Sequence, residues 1–250
     1  MSIEIRSNTE LPARREPVSL QTEDGLRLVG EWALPLDVEP RATVVTFHPL
    51  PTAGGFMDSH VFRKASLRLP ALADIAVLRF NTRGTTSPHG ASEGRFEEAR
   101  GERFDVLAAL DEGRALGRPP LVVVGWSFGT DLVLKFARQP GVDAVVLLSP
   151  ALRYTSEAEL AAWAQPVVPG SGPIPMTVLV PELDDYLRPD EARERFAVVP
   201  QADVVGITSC QHLWVGERYV RIALNSIAST ALGVPVELPG QWGSDTEETP

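Results

Sequence analysis

Residues Gly125-Trp126-Ser127-Phe128-Gly129 place a lone serine between two glycines, where the apolar run from Leu121 to Val124 gives way to a helical pattern. A sharp strand-to-helix turn forces its central residue into a sparsely populated backbone conformation. Side chains two positions away on either side would strike the adjoining strand and helix, so glycines are needed there. Such a turn lifts the serine hydroxyl above the carboxyl edge of a sheet, beside a helix N-terminus whose N–H groups and dipole favour developing negative charge. The chemistry to expect is nucleophilic attack with an oxyanion held by the backbone. Over five residues alone, a turn with serine as an ordinary N-cap reads the same way. The buried strand before it and the helix after it favour the nucleophile.

Serine is a poor nucleophile at neutral pH and needs a base that is itself oriented by a third group. Of the four histidines, His48, His60, His89 and His212, the last lies in "SCQHLWVG", after the final predicted strand and on the same sheet edge as Ser127. The orienting acid is sought in "VLVPELDDYLRP", where a strand ends near Val180 and turns through Glu182, Asp184 and Asp185. The residue pattern leaves the choice among these three open.

Short Val/Ile/Leu-rich runs alternating with amphipathic stretches predict an α/β fold: a mostly parallel sheet of about eight strands with helices on both faces. Pro17 to Thr22 and Leu26 to Leu34 read as an N-terminal antiparallel hairpin across Glu23-Asp24-Gly25. Further strands are expected at Ala42 to Phe47, Ile75 to Phe80, Leu121 to Gly125, Val142 to Leu148, Met176 to Val180 and Ala202 to Thr208. Helices are expected at Ser59 to Leu69, Glu97 to Ala115, Ser127 to Arg138, Thr155 to Ala164, Pro189 to Phe196 and Val215 to Leu232. The expected organisation is a flexible segment 1–16, one domain 17–234 with 155–175 as a small cap or connection, and a disordered acidic tail 235–250.

The 250 residues are 44% hydrophobic and 22% charged with a formal net charge of -10, which fits one globular domain and disfavours a nucleic-acid or anionic-membrane partner. A single cysteine, Cys210, excludes an intrachain disulfide and reads as a small buried residue. No apolar run has the length of a membrane span, so the cytoplasm is the expected compartment. The histidines lack metal-ligand spacing and no glycine-rich dinucleotide or phosphate loop is present, so neither a metal nor an organic cofactor is expected.

With these residues in place, the chain resembles the α/β-hydrolase superfamily, most closely its compact, lid-poor bacterial members. The segments "FHPLPTAGG", "VLRFNTRG", "GWSFG", "PELDDYLRP" and "CQHLWVG" carry the resemblance, which runs from near Val18 to near Leu232. The chain order Ser…Asp…His is the one expected of that superfamily. Members often show H-P-H-P-x-x-G-G at the first segment; here His48-Pro49 match and Leu50 replaces the second histidine. The resemblance implies an oxyanion hole from the Leu50 and Phe128 N–H groups, Pro49 having none to offer. It also implies Asp184 as the acid, because G-E-x-D often stands there and Glu182-Leu183-Asp184 matches, with Pro181 for the glycine.

Asn81-Thr82-Arg83-Gly84 resembles a structural D/N-x-R-G turn, with Arg83 paired locally, and Gly101-Glu102 with Asp105 reads as a helix start packed near it. His48, Trp126 and His89 are candidates for lining the substrate, with Glu93 beside them, although His48 reads better as a residue that orients the oxyanion loop. The expected function is a serine hydrolase acting on a carboxylic ester or related small acyl compound through Ser127, His212, Asp184 and an acyl-enzyme. The alternatives on the same residues are acyl transfer, thioester hydrolysis or peptidase action, and, from another class, a non-catalytic binding protein. The expected partner is a small acyl substrate; nothing indicates a homo-oligomer.

Overall fold

The computed structural model describes residues 2–243. Eight strands form the central sheet: β1 (Arg14–Gln21), β2 (Arg27–Leu34), β3 (Ala42–Phe47), β4 (Ile75–Phe80), β5 (Leu121–Trp126), β6 (Ala144–Leu148), β7 (Met176–Leu183) and β8 (Ala202–Gln211). Their spatial order is β8-β7-β6-β5-β3-β4-β2-β1. Strands β3 to β8 run parallel, while β2 is antiparallel to both β1 and β4. The expected hairpin is thus the antiparallel margin of a sheet that is otherwise parallel.

The inner parallel strands β3, β4, β5 and β6 are buried along their whole length and are mostly apolar, as strands covered on both faces must be, while the edge strand β8 is largely exposed. In β5, Val123 joins the cluster under helices α2 (Glu102–Ala115), α3 (Phe128–Phe136) and α5 (Pro189–Phe196), together with Val106, Leu132 and Phe196. Its neighbours Val122 and Val124 point the other way, into the cluster under α1 (His60–Ala73) and α6 (Glu217–Leu232), with Phe62 and Ile227. That two-residue alternation builds the two helical layers. Each fully buried aliphatic side chain contributes about 1.5–3 kcal/mol, and the combined burial fixes the strand ends that carry the site.

Several expected boundaries shift for physical reasons. Helix α2 begins at Glu102 rather than Glu97, because Glu98 and Ala99 take φ of 57° and 58° and the Glu102 carboxylate accepts from the Glu97 and Arg100 N–H groups. The buried acid wraps the preceding loop into a turn instead of letting it coil. Segment 155–175, expected as a small cap or connection, lies between β6 and β7. Its short helix α4 (Glu157–Ala161) starts from a Ser156–Glu159 capping box, and Trp163 is buried with its indole N–H on the Leu134 carbonyl, 2.9 Å away.

Residues of the N-terminal segment expected to be flexible contact the body. Ile3–Glu4 pairs antiparallel with Gln241–Trp242, and Leu11 is buried with its N–H on the Leu67 carbonyl. The same pairing, with buried Leu238, places residues 235–243 on the body; the rest of the expected acidic tail lies outside the described residues.

Candidate active site

The turn at Ser127 is built as its spacing demands. Ser127 takes φ 53° and ψ −117°, a conformation that costs an L-residue on the order of 1–3 kcal/mol. A Cβ at Gly129 would stand 1.8 Å from the Phe47 carbonyl oxygen, and one at Gly125 2.6 Å from that of Gly129. The Ser127 N–H donates to the Leu148 carbonyl at 2.9 Å, and the Ser127 carbonyl accepts the Thr130 N–H and hydroxyl at 2.8 and 2.6 Å. Ser127 is therefore tied to β6 behind it and to α3 ahead of it.

The other two residues meet through a register change. Strands β7 and β8 pair in step until Pro181, then shift so that Leu183 stands opposite Gln211. The next residue on each strand is Asp184 and His212, so the bulge sets them side by side. His212 Nδ1 lies 2.8 Å from Asp184 Oδ2 and 3.0 Å from Oδ1, and His212 Nε2 lies 2.8 Å from Ser127 Oγ. An ionised carboxylate only accepts, which puts the imidazole proton on Nδ1 and leaves Nε2 to take the serine proton. Asp184 is buried and its Oδ1 also accepts the Tyr186 N–H at 2.9 Å. Asp185 is exposed, and Glu182 turns away to accept the Ser209 N–H at 2.6 Å.

No family model matches the chain. An uncharacterised protein of Rickettsia prowazekii is 27% identical over 148 residues, covering 58% of this chain and 59% of that protein. Among solved structures, a lidless member of the α/β serine hydrolases from Xanthomonas campestris superposes with a TM-score of 0.69 at 23% identity, covering 92% of this chain and 99% of the other. An α/β serine hydrolase homologue from Coxiella burnetii gives 0.65 at 22%, covering 92% and 98%. A Pyrococcus furiosus esterase gives 0.63 at 17%, covering 87% and 91%.

The fold is that of the α/β-hydrolases.

Within this α/β-hydrolase fold, Ser127 and His212 open onto a cleft of about 130 Å³ walled by Leu50, Phe128, Tyr154, Tyr186 and Leu213. Roomier clefts, about 180, 200, 240 and 370 Å³, lie elsewhere and contain none of Ser127, Asp184 or His212, so size does not mark the site here. The Phe128 N–H is the first of α3 and has no acceptor within the helix. Leu50 precedes a tight turn in which its carbonyl accepts from Ala53 and Gly55, and a Cβ at Gly55 would stand 2.1 Å from the Pro49 oxygen. Both residues line the cleft with Ser127.

Three residues expected to line the substrate lie elsewhere. Trp126 is buried beneath the turn, with its indole N–H on the His212 carbonyl at 3.2 Å. His48 is 1% exposed: its Nδ1–H donates to the Pro49 carbonyl at 2.7 Å and its Nε2 accepts the Thr82 N–H at 3.1 Å. Burial pulls its pKa down to about 4, against the opposing hydrogen bond to Pro49, and it holds the loop after β3 as a neutral ring. His89 lies outside the cleft and faces Asp58, 3.0 Å away. Glu93 accepts the Arg27 N–H at 2.8 Å and braces the hairpin.

Arg83 reaches farther than a local pair: it grips Asp105 at 2.8 and 2.9 Å and Asp24 at 3.0 Å, tying the β4 turn to α2 and to the hairpin. Cys210 is buried, and burial pushes its thiol up to about 12, which leaves it inert as a nucleophile.

Sequence reasoning missed three residues. Ser149, at the end of β6, donates to the His212 carbonyl at 3.1 Å while accepting the Trp214 indole N–H at 2.9 Å. His60 Nε2–H donates to the neighbouring Leu213 carbonyl at 2.6 Å. Together with Trp126 they clasp the backbone of the histidine turn from behind, and no sequence motif marks such side-chain-to-carbonyl contacts. Asp131 lines the cleft; its signal was its place four residues after Ser127, on the same helix face. Among the described residues, no group of three His, Cys, Asp or Glu side chains is arranged to hold a metal ion.

Proposed function

We propose that the protein is a serine hydrolase of carboxylic esters or related small acyl compounds, working through Ser127, His212 and Asp184. The observation that carries this reading is the continuous line Asp184–His212–Ser127, with contacts of 2.8 Å at each step, ending in an apolar cleft. Ser127 Oγ attacks the acyl carbon as its proton passes to His212 Nε2, and Asp184 stabilises the imidazolium. The oxyanion takes the Leu50 and Phe128 N–H groups. As the tetrahedral intermediate collapses, His212 returns the proton to the leaving alcohol and the acyl group stays on Ser127. Water then loses a proton to His212 and attacks the acyl-enzyme; the acyl–Oγ bond breaks, His212 returns the proton to Ser127 Oγ and the acid is released.

The small cleft favours short acyl chains over long-chain lipid. The test is fluorophosphonate labelling with turnover of a graded series of acyl esters. Wild type should label at Ser127 and prefer short chains. Ser127→Ala should lose labelling and about 10⁶-fold in kcat. A folded Ser127→Ala protein keeping a tenth of the activity would overturn the reading.

A further inference from the structure

Asp131 stands one helical turn beyond Ser127 on α3 and lines the same cleft as Ser127 and His212. Only 1% of the residue is exposed. Its Oδ1 anchors the loop across the cleft, accepting the Tyr154 N–H at 2.9 Å and the Thr155 hydroxyl at 2.6 Å. Its Oδ2 is buried with no hydrogen-bond partner. Anchoring the loop uses one oxygen, which the neutral amide of an asparagine would supply equally well. A carboxylate with its second oxygen unpaired at the wall of a reactive cleft is a costly choice for a purely structural role. Burial accordingly raises the Asp131 pKa, with the loop hydrogen bonds working in opposition.

We propose that Asp131 Oδ2 receives a substrate hydroxyl, so that the preferred substrates are short esters carrying a hydroxyl group on the part that lies against α3. This rests on the hydrolase reading above and names the substrate class for that site. A neutral donor fits better than an ammonium group, because Arg153 lines the same cleft with its guanidinium 5.5 Å from the Tyr154 ring centroid, and its charge opposes a second cation. The walls Phe128 and Tyr154 accept the hydrocarbon part, and Asp131 is the carboxylate acceptor that reads the hydroxyl.

The experiment compares kcat/KM for ethyl butyrate, ethyl β-hydroxybutyrate and hydroxyethyl butyrate, which place the hydroxyl on neither side, on the acyl side and on the alcohol side, respectively. Wild type should favour one hydroxylated ester over ethyl butyrate by about tenfold or more, the worth of a hydrogen bond to a charged group. Asp131→Ala should bring that ratio close to one. Asp131→Asn keeps the loop anchored and should retain only part of it, since a neutral amide is the weaker partner. Damage to the loop lowers all three esters together and cancels in the ratio.

The same three esters are also titrated against Ser127→Ala, with and without Asp131→Ala, by ligand-observed NMR, which requires no turnover. Absence of hydrolysis for every ester counts against the hydrolase reading, while the binding ratio still judges Asp131. A ratio within twofold on both arms when Asp131 is intact, or a kinetic ratio unchanged in both Asp131 variants, overturns the assignment.

Discussion

His48 and His212 occupy matching places in the fold. Each is the first residue after a parallel strand, β3 and β8 respectively, on the same carboxyl edge of the sheet. His48 meets the Pro49 carbonyl and the Thr82 N–H and is sealed from the cleft. His212 meets a carboxylate on one side and a hydroxyl on the other, and it lines the cleft. The comparison separates scaffold from chemistry. A ring held by two backbone groups and the Thr82 hydroxyl, and stripped of solvent, holds a loop in place. A ring between an acid and a hydroxyl can accept a proton and be stabilised once it has done so.

The sharpest way to break that contrast is to remove the charge behind His212. Asp184→Asn keeps the shape of the turn but permits the wrong imidazole tautomer, a change that costs on the order of 10⁴ in kcat in a comparable triad. Asp185→Asn alters an exposed neighbour and should cost only a few-fold. Steady-state kinetics on both variants, with circular dichroism to confirm folding, decides the matter. A crippled Asp185→Asn beside an active Asp184→Asn would mean that the acid acting on His212 is not the one 2.8 Å from it.

A second contrast lies behind the two rings. His48 is held through its own ring atoms, whereas the His212 turn is also held through its backbone, by Trp126 and Ser149 on one carbonyl and His60 on the next. Ser149→Ala or Trp126→Phe removes one donor from the His212 carbonyl and leaves the ring partners intact. Each should lower kcat about tenfold with KM little changed, because the loss falls on the alignment of His212 rather than on the cleft. Equal changes in kcat and KM, or none, would show that the clasp does not position the base.

How much of this was legible beforehand follows the same division. The strand alternation and the Gly-x-Ser-x-Gly spacing placed the sheet and Ser127 at the right edge because both are local steric demands, visible in periodicity and in the glycines themselves. Asp184 was separable from Asp185 by resemblance alone, since the deciding feature is a register shift between Pro181 and Leu183 that no single-strand pattern encodes. Trp126 was misplaced because adjacency to Ser127 in sequence says nothing of the face. A residue at the end of a strand alternates away from its neighbour, and Trp126 points into the layer under α1 and α6. Asp131 and Ser149 went unread because their roles depend on segments 23 and 63 residues away.

The smallest expected effect is on stability, and it sharpens the reading of His48. Burial holds its pKa near 4 in the fold, while an unfolded chain restores about 6.5. Unfolding therefore takes up a proton between those values. The contribution is fully present above about pH 6.5 and is lost as pH falls through that window towards 4, on the order of 3 kcal/mol if the whole shift is realised. His60 is also depressed by burial and adds to the slope in the same direction, so the single-residue effect must be taken as a difference. Urea unfolding from about pH 4.5 to 7 should give a steeper loss of stability in wild type than in His48→Gln, whose side chain does not titrate. The variant should be the less stable protein at pH 7 and should close on wild type as the pH falls. Parallel curves would mean that His48 is open to solvent protons in the fold, and its distinction from His212 would then rest on partners alone.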